Sequence, residues 1–109
     1  MFEYYVPNHT SVFRDGLVAD YLTQTRPVVD FLIQADLTEE SREMACLSHR
    51  IRSSTQMLGL SRLAYLLEHL ELAITEDSLD SAHEFCLLLP SVAQESFNTL
   101  EQQLKVACS

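Results

Sequence analysis

His49 is the residue of this sequence whose type and surroundings best fit a chemical role. A helical repeat of about 100° per residue gathers its apolar neighbours into one arc, and His49 points away from that arc. The members of the arc are Met44, Leu47, Ile51, Thr55 and Leu58. We therefore expect His49 to face water, where an imidazole can act as a nucleophile or carry a phosphoryl group.

The helical neighbours of His49 are small or neutral, with one arginine among them. One to two turns away lie Ala45, Cys46, Arg52, Ser53 and Gln56. Small side chains leave an imidazole accessible, and a guanidinium can hold phosphate oxygens. The same pattern also fits an ordinary solvent-exposed histidine, so the spacing alone leaves both interpretations open.

Charge is distributed unevenly along this acidic chain. The 109 residues hold 16 acids and seven bases, a net charge of −9, which repels nucleic acid and anionic membranes. Within residues 42–62, however, four arginines accompany a single acid, Glu43. They are Arg42, Arg50, Arg52 and Arg62. We expect no nucleic-acid or membrane partner, and a positive region around His49.

Other motifs exclude several classes of function. The three cysteines form no C-x-x-C pair, which argues against a disulfide framework or a zinc site. No glycine-rich phosphate loop is present, and Asp80-Ser-Ala-His83 is the only approach to the Glu-x-x-His spacing of bundle metal sites. The start of the chain has no signal-peptide pattern. We expect a cytoplasmic protein without a cofactor, an ATP site or kinase activity of its own.

Hydrophobic periodicity predicts helices throughout the chain. Residues 1–10 are expected to form an irregular arm, with Asn8, Thr10 or Ser11 as the cap of a first helix over 12–35. Pro27 makes that segment either one long helix or two, with a kink or short break near Thr25 and Arg26.

Three further helices follow. Thr38 is predicted to cap the helix that carries His49, which should end near Gly59, and Ser61 to cap the next. The last helix should begin near Leu79 and continue through Pro90 with a bend. The predicted core of the last two helices consists of Leu63, Leu66, Leu67, Leu70, Ala73 and Ile74, then Leu79, Ala82, Cys86, Leu89, Ala93, Phe97, Leu100 and Leu104. Residues 11–109 are thus predicted to form a single all-α domain, an antiparallel up-down-up-down four-helix bundle.

The His49 segment resembles the signature of histidine-containing phosphotransfer domains. In that signature a small residue precedes the histidine, an aliphatic and a basic residue follow, and a glycine closes the helix. Ser48, His49, Ile51, Arg52 and Gly59 match these positions, and Ser54 and Thr55 match a following small pair. Two residues depart from the pattern, because Arg52 stands where lysine is usual and Ser53 where glycine is usual. The resemblance covers about residues 11–106.

The resemblance implies a monomeric carrier that relays a phosphoryl group between aspartates of receiver domains, through His49. These receivers would belong to a hybrid sensor kinase, a response regulator or both, and would supply the Mg²⁺. Arg52 and Arg50 would steady phosphate oxygens. The receiver would dock on Ala45, Cys46, Ser53 and Gln56, together with the first long helix.

Two other functions are compatible with a helical bundle: an interaction protein that docks on a receiver or sensor kinase without phosphotransfer, and an unrelated scaffold. The dimerisation domain of sensor kinases fits less well. There an acid normally follows the histidine and a proline stands five positions on, whereas this chain has Arg50 and Ser54.

Overall fold

Four helices account for almost all of the described chain. A computed structural model describes the backbone of residues 7–108 and the side chains of residues 16–104. The helices are α1 (Pro7–Gln34), α2 (Leu37–Met57), α3 (Ser61–Thr75) and α4 (Leu79–Cys108), and no strand occurs among the described residues. The prediction of an all-α four-helix bundle is confirmed.

Contacts between α3 and α4 have the order of an antiparallel pair. Arg62 of α3 is ion-paired with Glu95 of α4 at 2.5 Å, and further along α3 the ring of His69 lies 6.0 Å from that of Phe85. Residue numbers therefore rise in one helix while they fall in the other. The up-down-up-down order of all four helices stays a prediction.

Leucines from three helices form the centre of the bundle. Leu32, Leu63, Leu67, Leu89 and Leu100 are completely buried, and burial of each such side chain contributes about 1.5–3 kcal/mol. Most of the predicted core positions of α3 and α4 are buried. The exceptions are Ile74, Cys86 and Leu104, which are partly buried, and Leu79, which is exposed. The core prediction for Leu79 is wrong because this residue begins α4 at the end of the bundle.

The starts of the helices differ from the predicted ones. Asp36, not Thr38, caps α2, since its carboxylate accepts a hydrogen bond from the Thr38 amide at 2.8 Å. The Glu40 carboxylate in turn accepts a hydrogen bond from the Asp36 amide at 2.9 Å. The predicted Ser61 cap is also wrong, because α3 begins at Ser61 itself and its cap residue, Leu60, makes no side-chain hydrogen bond.

The first helix begins earlier and runs longer than the simplest prediction. Because α1 starts at Pro7, residues 7–10 of the predicted arm are helical and not irregular, whereas the start of the bundle domain at residue 11 stays a prediction. Residues 1–6 lie outside the described part of the chain. Both α1 and α4 continue through their internal prolines, Pro27 and Pro90, so the one-helix alternative for α1 is confirmed and Pro90 does not break α4.

Two helices end on a residue in the left-handed conformation. Gly59 has φ +82°, and the amides of Gly59 and Leu60 bond back to the carbonyls of Gln56 and Thr55 at 3.0 and 3.2 Å. This is the Schellman arrangement, and it confirms the predicted end of α2. At the end of α3 the left-handed residue is Asp77, with φ 64°.

No helix among the described residues is long and apolar enough to cross a membrane.

Candidate functional site

The rotation of α2 exposes His49, as the sequence predicts. Met44, Ile51 and Thr55 are buried, while the side chain of His49 is 64% exposed. Leu47 and Leu58 of the predicted apolar arc are only partly buried. The burial of Ser48 was not predicted. Its side chain is completely buried, and its hydroxyl has no hydrogen-bond partner.

A buried hydrogen bond joins α2 to α1. The hydroxyls of Tyr21 and Thr55 lie 2.6 Å apart, and the Thr55 hydroxyl also donates to the Ile51 carbonyl at 2.7 Å. Burial raises the pKa of the Tyr21 phenol above its ordinary value of 10.0, against the smaller opposing effect of hydrogen bonds with Thr55 and Thr25. Because the contact joins the two hydroxyls across the helices, it favours the orientation in which Thr55 faces α1 and His49 faces solvent.

A carboxylate from α3 meets His49. Nδ1 of His49 lies 3.0 Å from one carboxylate oxygen of Glu71 and 3.2 Å from the other. An ionised carboxylate only accepts hydrogen bonds, so Nδ1 carries the proton in this contact. In the neutral ring Nε2 is then the nitrogen with a free lone pair, and Nε2 is the atom available for nucleophilic attack.

The four clustered arginines occupy different surroundings. Arg52, one turn beyond His49, is partly buried, and its Nε atom has no hydrogen-bond partner. Arg50 is exposed on the side of α2 that faces α1, and Arg42 is exposed near the start of α2. Arg62 is ion-paired with Glu95 on α4, so it does not belong to the positive region around His49. Of the four, only Arg50 and Arg52 lie within one turn of His49 on α2, and the positive region around the imidazole stays a prediction.

A groove between α1 and α2 runs along the Arg50 side of the site. It has a volume of about 700 Å³ and is lined by residues that include Leu17, Tyr21, Arg50 and Met57. The side chain of Met57 is 77% exposed and that of Leu17 is 44% exposed. An apolar rim beside a free guanidinium is typical of a protein-binding surface.

The predicted docking residues lie on the same helix as His49 but differ in exposure. Cys46, Ser53 and Gln56 are exposed, and Ala45 is partly buried. All four lie within two turns of His49 on α2. The exposed apolar residues Leu17 and Met57 line the groove on the side of α2 that faces α1. The role of the four predicted residues in docking stays a prediction.

Glu71 is the main residue of the site that sequence reasoning missed. It is separated from His49 by 22 positions, and nothing in the local pattern of α3 distinguishes it from Glu68 one turn earlier. Among the described residues there is no group of three or more His, Cys, Asp or Glu side chains that could hold a metal ion. The side chain of His9, the first histidine of the chain, lies outside the described residues.

Comparison of the chain with protein-family models, with curated proteins and with solved structures gives no match.

Proposed function

We propose that this protein is a phosphoryl carrier, which accepts a phosphoryl group on Nε2 of His49 from the aspartyl phosphate of a receiver domain and passes it to another receiver. The observation that supports this proposal best is the contact between His49 and Glu71. It holds an exposed imidazole by Nδ1 and leaves Nε2 as the nucleophilic nitrogen.

The transfer needs little chemistry from this chain. The Nε2 lone pair attacks phosphorus, the N–P bond forms, and the P–O bond to the receiver aspartate breaks, so that the carboxylate leaves. The ring becomes positively charged as the bond forms, and the Glu71 carboxylate stabilises that charge at Nδ1. Mg²⁺ would be supplied by the receiver, and the reverse sequence of steps loads the next receiver.

Arg52 is the residue we assign to the phosphoryl oxygens. It lies one turn from His49, which is within reach of a group on the imidazole. Among the described residues no carboxylate neutralises its guanidinium, and its Nε is already removed from solvent without a partner. An unpaired cation of this kind gains more from an incoming dianion than one already in an ion pair.

Arg50 has a different part in this proposal. It lines the groove between α1 and α2 together with Leu17 and Met57, so it would contact the docked receiver rather than the phosphoryl group. The acidic surface of a receiver around its phosphorylated aspartate would complement this cation. The receiver would thus dock across α1 and α2 and bring its aspartate to His49.

Phosphotransfer profiling tests the proposal. The protein is incubated with Mg²⁺ and a panel of radiolabelled, phosphorylated receiver domains, and acid-labile, base-stable label on this chain is measured. We expect label on the wild type and on His83→Gln, a control at another exposed histidine, and none on His49→Gln. Label on His49→Gln would refute the site, and the absence of label with every receiver would refute the carrier function.

The same experiment identifies the alternative, a bundle that docks on a receiver without phosphotransfer. Tight receiver binding in the absence of acid-labile phosphate on the wild type would indicate that function. Binding is measured by titration calorimetry with the receivers used for profiling, so that both outcomes refer to the same partners.

A further inference from the structure

An exposed apolar strip runs along the outer side of α3 and α4. Tyr65 is 61% exposed, Leu72 45% and Leu88 53%. Single exposed apolar side chains are normal on protein surfaces, but Tyr65 belongs to a group of neighbouring rings that spans both helices. The His69 ring stacks on Tyr65, with centroids 3.9 Å apart, and lies 6.0 Å from the partly buried ring of Phe85 on α4. We call these five residues the α3–α4 patch.

The register of the two helices places the five residues at neighbouring levels along α3 and α4. Leu88 follows Phe85 by one helical turn, which brings it to the level of His69 and Tyr65 in the antiparallel pair. On α3, Tyr65 and Leu72 are two turns apart, about 10 Å. The Nδ1–H of His69 donates to the Tyr65 carbonyl at 2.9 Å, which holds the imidazole ring within the strip. Several exposed apolar side chains at neighbouring levels of two packed helices are typical of an interaction site.

Acidic residues flank the patch, and no basic residue lies on its helices between residues 63 and 104. Of the eight acids in that range, Glu95 and Glu101 are ion-paired with arginines, and Glu71 accepts a hydrogen bond from His49. Glu68 lies between Tyr65 and Leu72 on the side towards α2, and Glu84 lies one turn before Leu88 on the outer side of α4. Both are exposed and make no ion pair with another described residue.

We propose that the α3–α4 patch is a docking surface for a basic amphipathic helix of a partner protein. Apolar side chains of such a helix, spaced at three, four and seven residues, match two turns of exposed apolar surface on α3. Lysine or arginine residues beside them would meet Glu68 and Glu84, and an acidic partner would be repelled. A second copy of this chain fits poorly, because a symmetric contact would bring the unpaired carboxylates of both copies together.

This surface is distinct from the site of His49. Glu71, which contacts His49, points to the α2 side of α3, whereas Tyr65 and Leu72 lie roughly 100° further round the helix. A partner on the patch would therefore leave His49 and the α1–α2 groove accessible. A partner would bind this surface whether or not the protein carries a phosphoryl group on His49.

A model helix tests the charge and the apolar requirement together. The probe is a 15-residue peptide with leucines on one helical face and lysines elsewhere, and the control peptide has glutamates in place of the lysines. We expect the lysine peptide to shift backbone amide resonances around Tyr65, Leu72 and Leu88, and the glutamate peptide to cause no shifts. Shifts scattered over other acidic surfaces, or equal binding of both peptides, would overturn the proposal.

Substitutions on α4 and α3 provide matched variants. Tyr65→Ser combined with Leu88→Ser removes exposed side chains only, so folding should persist, and circular dichroism checks this. We expect the lysine peptide to bind this variant at least about fivefold more weakly. Leu87→Ser, at a 67% exposed neighbour on another side of α4, should change affinity less than twofold, by about 0.4 kcal/mol or less.

Two results with these variants would refute the proposal. Equal effects of Leu87→Ser and of the paired substitution would mean that binding is not confined to the patch. Concentration-dependent dimerisation of the wild type that the paired substitution abolishes would assign the patch to a second copy instead.

Discussion

Removal of the Glu71 carboxylate should slow phosphorylation of His49 without preventing it. Glu71 accepts a hydrogen bond from Nδ1 at 3.2 Å, but the side chains of His49 and Glu71 are 64% and 27% exposed. Water therefore screens the pair, and a contact of this exposure is worth about 0.5–1 kcal/mol. We assume that all of this free energy stabilises the tautomer with the proton on Nδ1 and the positive charge that develops on the ring. Glu71→Ala then lowers the rate of His49 phosphorylation about two- to fivefold.

Phosphoramidate provides the assay, because this small donor phosphorylates accessible imidazoles directly and removes receiver docking from the rate. We expect the initial rate of His49 phosphorylation to follow the order wild type, Glu71→Gln, Glu71→Ala. The glutamine retains a neutral acceptor for Nδ1–H, so its rate should be intermediate. Glu68→Gln removes a charge one turn away on α3 without touching His49, and should leave the rate close to that of the wild type.

Nitrogen chemical shifts of the His49 ring report which ring nitrogen carries the proton. If Glu71 had only a structural role, its replacement would leave these shifts unchanged. In the neutral ring of the wild type the proton should reside mainly on Nδ1, and in Glu71→Ala part of the population should move it to Nε2. An unchanged tautomer ratio in Glu71→Ala, or equal losses of rate in Glu68→Gln and Glu71→Ala, would refute the role given to the carboxylate. A loss far above tenfold would also contradict the magnitude derived from its exposure.

The remaining predictions concern stability. Tyr21→Phe deletes one buried hydrogen bond while Thr55 keeps its bond to a backbone carbonyl, so urea unfolding should show a loss of about 0.5–1.5 kcal/mol; an unchanged midpoint would contradict this. Because burial raises the pKa of Tyr21 in the folded state, the native protein keeps a proton that the unfolded chain loses near pH 10.0, and stability should fall as the pH rises above that value. This alkaline loss should be smaller in Tyr21→Phe than in the wild type, and Tyr65→Phe, at an exposed tyrosine, should behave like the wild type; equal losses in all three proteins would refute the assignment. Asp77→Gly should raise the free energy of unfolding by about 0.5–1 kcal/mol, since Asp77 is a non-glycine residue with φ 64°. Glu76→Gly, at a residue with φ −90°, should instead lower the free energy of unfolding. If thermal unfolding showed a change of the same sign for both substitutions, relief of backbone strain at Asp77 would be refuted.

Features of this protein that depend only on local helical geometry were predictable from its residues. The angle between successive side chains on a helix is the same in any fold, so the exposure of His49 and the burial of Met44 and Ile51 could be predicted from spacing alone. The end of α2 at Gly59 was also predictable, because glycine enters the left-handed conformation without a steric penalty. Helix starts were less predictable, since Asp36 and Thr38 are both good caps and lie two residues apart.

Tertiary structure alone decided which groups surround the imidazole. The contact of Glu71 with His49 requires a particular register of α3 against α2, and packing of many leucines sets that register rather than any motif near either residue. The same packing separates Arg62 from the other arginines by turning it towards Glu95, although all four are close in sequence. Periodicity specifies the direction of a side chain from its own helix, whereas the neighbour it meets depends on how two helices pack together.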